Sequence, residues 1–137
     1  HKTARRFKVL EAYKLNSYEE LCTALSLGFA CVSGIAVGNN FVRGALRDDG
    51  LAPLPDTIVG GHAMYHVGLK KLGPLWCLDT QNSWGLEWGH NGSCYLQKGH
   101  FNPGYRQGFD VYAIASVSDD PEDTTDDLIP IGGTVSL

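Results

Sequence analysis

Gln81-Asn82-Ser83-Trp84-Gly85-Leu86-Glu87-Trp88-Gly89-His90-Asn91-Gly92 sets two indoles and three glycines ahead of an apolar run. Asn91-Gly92 is a strong signal for a tight hairpin turn, whose central residues need backbone angles that Asn and Gly tolerate best. Gly85 and Gly89 permit further turns that a side chain would block. Taken alone, the run is a Trp- and Gly-rich turn closing a β-hairpin. Strand patterns flank it, at 75–80 before and 93–98 after.

Working outward, residues 62–69 and 109–116 read as two more strands, and Gly73-Pro74 marks the turn that leads from the first of them into 75–80. Towards the start, 6–15 alternates aromatic and β-branched residues, as a strand does. Ser17-Tyr18-Glu19-Glu20 is a capping-box pattern in which the Ser17 hydroxyl and the Glu20 carboxylate take up free amides of a new helix. Leu21 and Leu25 put an apolar stripe on that helix, and Gly28 terminates it. The mostly apolar run 29–37 reads as a buried strand. Between Gly38 and Gly61 the chain carries Gly, Asn, Asp, Pro53 and Pro55 without a sustained period, which predicts a long irregular connection. The resulting class is α+β: a twisted antiparallel sheet or partly open barrel with one short packed helix.

A chain of 137 residues, 43% hydrophobic and 19% charged, supports one domain. No stretch reaches the roughly 18 consecutive apolar residues of a membrane span, and no leader pattern opens the chain, so it reads as soluble. The formal charge of −4 is unevenly placed. Lys2, Arg5, Arg6 and Lys8 crowd the start, while Asp119, Asp120, Glu122, Asp123, Asp126 and Asp127 crowd the end, and without those six acids the charge becomes +2. Nothing in that balance supports nucleic-acid binding, which needs a clustered basic face. Residues 1–117 form the expected folded lobe. After them comes an acidic stretch that cannot order itself by apolar burial, then an apolar one at 128–137. That last segment reads as an added strand on its own domain or on an assembly partner, or as a frayed terminus.

Cys22, Cys31, Cys77 and Cys94 show neither CxxC spacing nor a companion histidine pattern, so no metal is expected. They read as reduced thiols packed as small apolar groups, with disulfides as the alternative. His66 falls four residues after His62. In a strand the two are separated by roughly 13 Å, too far for a shared zinc ion, and His66 reads as a core or rim residue.

With Gly60-Gly61-His62-Ala63 upstream, the run from Gln81 to Gly92 resembles the histidine-and-asparagine half of the papain family of cysteine peptidases. The resemblance is strong over 62–91 and weak before Gly60. It implies the β-rich right-hand lobe of that fold, with no cofactor. His62 would be the base that takes a proton from a thiol, and Asn82 the group that holds the imidazole in the useful tautomer. Trp84 would cover their hydrogen bond and keep water away. Trp88 would line the leaving-group side of a substrate cleft. Gly60 and Gly61 would leave the wall of the main specificity pocket open, with the Gly61 carbonyl accepting a hydrogen bond from substrate backbone; the alternative for both is a flexible hinge. His90 stands where the family often has an acid.

The family's Gly-x-Cys-Trp segment and its oxyanion-hole glutamine have no counterpart here. Cys22 lies past the first turn of its helix, Cys31 and Cys77 in strands and Cys94 just after a turn, so none suits the nucleophile. The resemblance therefore implies a partner, a cysteine-bearing amino-terminal lobe on a separate chain or an upstream segment, with peptide or protein as substrate. The isolated chain is expected to be inactive. The alternative is a non-catalytic module that keeps the sheet for binding within a larger assembly.

Overall fold

Six strands pair antiparallel in the order β1-β6-β2-β3-β4-β5 in the computed structural model, which describes residues 7–101 and 110–119. They are β1 (Phe7–Leu15), β2 (Ala30–Gly38), β3 (Ile58–Leu72), β4 (Leu75–Gln81), β5 (Ser93–Leu96) and β6 (Asp110–Asp119). The sheet does not close, and a helix, α1 (Tyr18–Ser26), packs on β2, β3 and β6. This is the expected α+β lobe. Arg6, Phe109 and everything after Asp119 lie outside the described residues, as do the acidic and apolar stretches of the tail.

The helix has the ends that the sequence encodes. The Glu20 amide donates to Ser17 Oγ at 3.1 Å, so the cap forms. The Glu20 carboxylate reaches back to the Asn16 amide at 2.7 Å, one residue outside the cap position. At the other end, the Phe29 amide donates to the Ala24 carbonyl and Gly28 to Leu25, a closure that needs Gly28 at φ +92°. Tyr18, Leu21, Ala24 and Leu25 are buried on one face. Phe29 spends its amide on this turn, so β2 starts at Ala30 and not at Phe29 as expected.

β2 is buried along nearly its whole length because it lies between β6 and β3. Its length also corrects the reading of β3. Val37 pairs with Gly60 and Ala36 with Gly61, so both glycines are rungs of a ladder and not a hinge, and β3 begins at Ile58 and not at His62. Nor is the connection before it wholly irregular. A single turn of helix, α2 (Asn39–Val42), follows β2 and buries Phe41. Side-chain and backbone bonds then hold the loop: Asn40 Nδ2 donates to the Leu54 carbonyl, and Leu51 forms a β-bridge with Tyr95.

Strand β5 is shorter than expected, because Lys98 already belongs to a 3₁₀ turn, Lys98–Phe101. His100, which carries no sequence signal, organises that turn. Its Nδ1 accepts the Gln97 amide at 3.0 Å, and its Nε2 donates to the Pro53 carbonyl at 3.1 Å. Gln97 thus has its amide directed at an imidazole rather than along a ladder.

His66 is a core residue. It is fully buried between two hydroxyls, with Ser33 Oγ 2.6 Å from Nε2 and Thr80 Oγ1 2.8 Å from Nδ1. Thr80 Oγ1 donates to the Leu78 carbonyl, so it accepts from Nδ1–H, and Ser33 then donates to Nε2. Both ring nitrogens are satisfied in the neutral form, and burial pushes the pKa from 6.5 down to about 3. Burial also lowers that of His100. Depressed folded-state pKa values mean that the unfolded chain takes up protons first. Stability from His66 is complete above pH 6.5 and is lost as pH falls towards about 3, by up to about 1.4 kcal/mol per pH unit. Urea unfolding should show the midpoint dropping between pH 7 and pH 5, and His66→Gln should flatten that slope.

Cys31, Cys77 and Cys94 are buried, Cys22 is half-buried, and all four are free thiols. Burial pushes Cys31 up to about 11 and Cys94 up to about 12, and raises Cys22 and Cys77 as well. None has the low pKa of an activated nucleophile. Among the described residues no group of three or more His, Cys, Asp or Glu side chains is placed to hold a metal ion.

Candidate active site

His62 lies on β3 opposite Ile35 of β2. Strand β4 reaches only as far as Gln81, which pairs with Tyr65, so Asn82 is the first residue beyond the ladder and its side chain is free to reach back across β3. His62 Nε2 and Asn82 Oδ1 are 2.8 Å apart. The same oxygen accepts the Ser83 backbone amide at 2.8 Å. A backbone N–H can only donate, so it identifies that atom as the carboxamide oxygen. The histidine nitrogen facing it must then carry a proton. With Nε2 protonated in the neutral ring, Nδ1 is left with its lone pair. The Ser83 amide thereby selects the tautomer of a side chain on another strand.

Trp84 stacks on the imidazole, with ring centroids 4.4 Å apart and planes 26° from parallel. It covers one face of the His62–Asn82 pair and is itself 40% exposed. Beneath it lies a second aromatic layer. Phe41 meets Trp84 edge-on at 5.8 Å and Trp88 tilted by 47° at 4.9 Å, and the two indoles meet edge-on at 5.8 Å. Trp88 is 8% exposed, with its indole N–H donating to the Phe41 carbonyl at 2.9 Å. Its position is therefore under the site, and Trp84 is the indole that faces solvent beside His62. Sequence reasoning missed Phe41. The available signal was an aromatic next to a valine inside an otherwise polar Gly-Asn-rich connection.

Turns hold the layer in place. The Asn82 amide donates to the Gly92 carbonyl, Gly92 to Trp88 and Trp88 to Gly85. His90 and Ser93 exchange backbone bonds across Asn91 at φ 53° and Gly92 at φ 85°, the tight hairpin that the sequence promised. His90 itself is exposed in that turn. Gly89 has φ +58°, and a Cβ there would stand 2.8 Å from the Ser93 carbonyl. Gly89→Ala should therefore destabilise by at least about 1–2 kcal/mol, since both the left-handed angle and a backbone contact oppose it. A unchanged urea midpoint would show that the turn re-forms around the methyl group.

Gly60 is partly buried and Gly61 exposed, next to His62 on β3, and a side chain at Gly60 would meet nothing within 4 Å. The strand surface beside the imidazole is thus open. Asn82 Nδ2 is buried and has no hydrogen-bond partner among the described residues. An unpaired buried donor costs about 1–3 kcal/mol, and here it accompanies an oxygen that accepts twice.

Sequence comparison matches no family model and no curated protein. Solved structures do match. Xylellain, a cysteine protease from Xylella fastidiosa, aligns with a TM-score of 0.60 at 24% identity over 80% of this chain and 41% of its own. The bromelain protease from Ananas comosus, solved with the inhibitor E64, gives 0.55 at 16% over 77% and 50%. Procathepsin B from Trypanosoma congolense gives 0.53 at 20% over 76% and 35%. The chain thus spans half or less of the length of these proteins. They are papain-family cysteine proteases, and the fold of this chain is that of a papain-like right-hand lobe.

Proposed function

We propose that this chain is the His/Asn-bearing lobe of a papain-like cysteine endopeptidase, active once a cysteine-bearing amino-terminal lobe faces His62. The observation that carries the reading is the oriented imidazole: Nε2–H held on Asn82 Oδ1 at 2.8 Å under Trp84, with the lone pair of Nδ1 unengaged among the described residues. In the assembled enzyme Nδ1 takes the proton from the thiol of the other lobe. The thiolate attacks the scissile carbonyl and the C–N bond breaks. His62 returns that proton to the leaving amine, leaving an acyl-enzyme. His62 then takes a proton from water, the hydroxide attacks the thioester, and the thiol leaves with its proton restored.

Asn82 keeps the ring in register through both halves. Trp84 lowers the local dielectric around their bond. Gly60 and Gly61 offer an open strand for the substrate backbone, with the Gly61 carbonyl as an acceptor, and Trp84, with Trp88 behind it, borders the leaving-group side.

Alkylation of the active assembly with iodoacetamide tests this reading. Activity should be lost with modification of a cysteine upstream of His1 or on a copurifying chain, located by peptide mass mapping. Inactivation that maps to Cys22, Cys31, Cys77 or Cys94 would overturn it. All four thiols of this chain have pKa values raised by burial, as both this reading and a non-catalytic one require. If neither the upstream sequence nor any partner supplies a Gly-x-Cys-Trp segment, the chain is a non-catalytic papain-like binding module.

A further inference from the structure

On the side of the lobe formed by α1 and the β3–β4 hairpin lies an apolar groove of about 580 Å³, lined by Tyr18, Cys22, Leu69, Leu75 and Trp76 among others. Trp76 is 54% exposed and Leu75 37%, directly after the Gly73-Pro74 turn. Tyr18 Oη donates to the Trp76 carbonyl at 2.7 Å and ties the two walls together, so the groove is a built feature. One rim carries the Lys98–Glu19 ion pair. On the hairpin, Lys71 Nζ lies 5.6 Å from the Trp76 ring, and neither Lys70 nor Lys71 forms a salt bridge among the described residues.

Strand register shows what lies within reach. Ala113 of β6 and His66 of β3 both pair with Cys31, and the two strands run in the same direction. Asp119 lies as far past Ala113 as Leu72 lies past His66, so β6 ends at the level of the hairpin tip. Two strand spacings separate them, about 10 Å. The stretch 120–127 spans up to about 26 Å when extended, enough to bring residue 128 to the groove. That stretch holds Asp120, Glu122, Asp123, Asp126 and Asp127, opposite in sign to Lys70 and Lys71. Beyond it come Leu128, Ile129 and Ile131, with Pro130 opposing a helix.

We infer that this groove docks the chain's own tail: residues 128–137 seat apolar side chains between Leu69, Leu75 and Trp76, while the acidic stretch passes Lys70 and Lys71. Acids that would repel one another in solvent are neutralised at the hairpin, and exposed aromatic surface is covered. The docking is independent of the peptidase reading.

Cys22 lines the groove and is the one thiol of the four that is not fully buried, so its alkylation reports occupancy. In the 137-residue chain, Ile129→Asp with Ile131→Asp, and separately Lys70→Glu with Lys71→Glu, should speed iodoacetamide labelling of Cys22 by about fivefold or more. Added salt should do the same to the unaltered chain. Equal rates in all four samples would overturn the inference, as would protection that grows with protein concentration, since the occupant would then be a second copy. A single variant leaves the groove intact: Ile131→Cys should form an intramolecular disulfide with Cys22 under mild oxidation. If dilute protein forms none, the tail does not dock there.

Discussion

Asn82→Ala in the assembled peptidase should lower kcat by on the order of a hundredfold and leave KM within a few-fold of its starting value. Alanine deprives Nε2–H of its acceptor, so the neutral ring populates the other tautomer and rotates under Trp84. Nδ1 then presents its lone pair to the thiol only part of the time. In the proposed mechanism the carboxamide acts on the imidazole and not on substrate, and for that reason binding changes little. Stability should move less than activity. The substitution strips the Ser83 amide of its acceptor, but it also removes the buried Nδ2 that has no partner among the described residues.

Asn82→Asp separates orientation from charge. The carboxylate still accepts from His62 and Ser83 while favouring the protonated ring, so activity should survive in part with its pH profile shifted upward. Equal turnover in wild-type and Asn82→Ala enzymes would reduce Asn82 to a turn residue and remove the main support for the catalytic proposal.

Phe41→Ala should be the most destabilising single change near the site, costing about 3–5 kcal/mol. The ring is 1% exposed and touches both indoles of the aromatic layer. Its loss leaves Trp84 and Trp88 without a common floor. The Phe41 carbonyl still accepts the Trp88 indole and Asn40 still donates to the Leu54 carbonyl, but α2 is one turn long with no side-chain cap and loses its buried anchor. The urea midpoint reads the stability. The fraction that remains folded should turn over substrate more slowly, because Trp84 no longer lies flat on His62. A loss below about 1 kcal/mol would mean that the layer closes over the missing ring, contrary to the packing described here.

What was legible in the sequence follows from how far each physical cause acts along the chain. The start and stop of α1 depend on Ser17, Glu20 and Gly28, all within a turn of the positions they govern. The hairpin at Asn91-Gly92 is similarly local. Strand boundaries were less well marked. Phe29 is apolar and adjoins β2, yet its amide is taken by the helix end. Gly60 and Gly61 look like a hinge until β2 supplies the ladder that holds them. Lys98 continues a strand pattern, but His100 draws the chain into a turn.

The local sequence of Gly60-Gly61-His62 and Asn82-Ser83-Trp84 was enough to nominate an imidazole and a carboxamide, because together the two segments resemble the papain family's pattern. Their meeting was decided by the sheet. Gln81 pairs with Tyr65, and this register leaves Asn82 just past the ladder beside Met64, where its side chain reaches His62 and the Ser83 amide sets the tautomer. Phe41 and Trp88 became the floor of the site, and His66 and His100 became buried neutral struts, only through contacts between distant segments. Conformational preferences are short-ranged and written in neighbouring residues, whereas burial and protonation depend on which strands end up side by side.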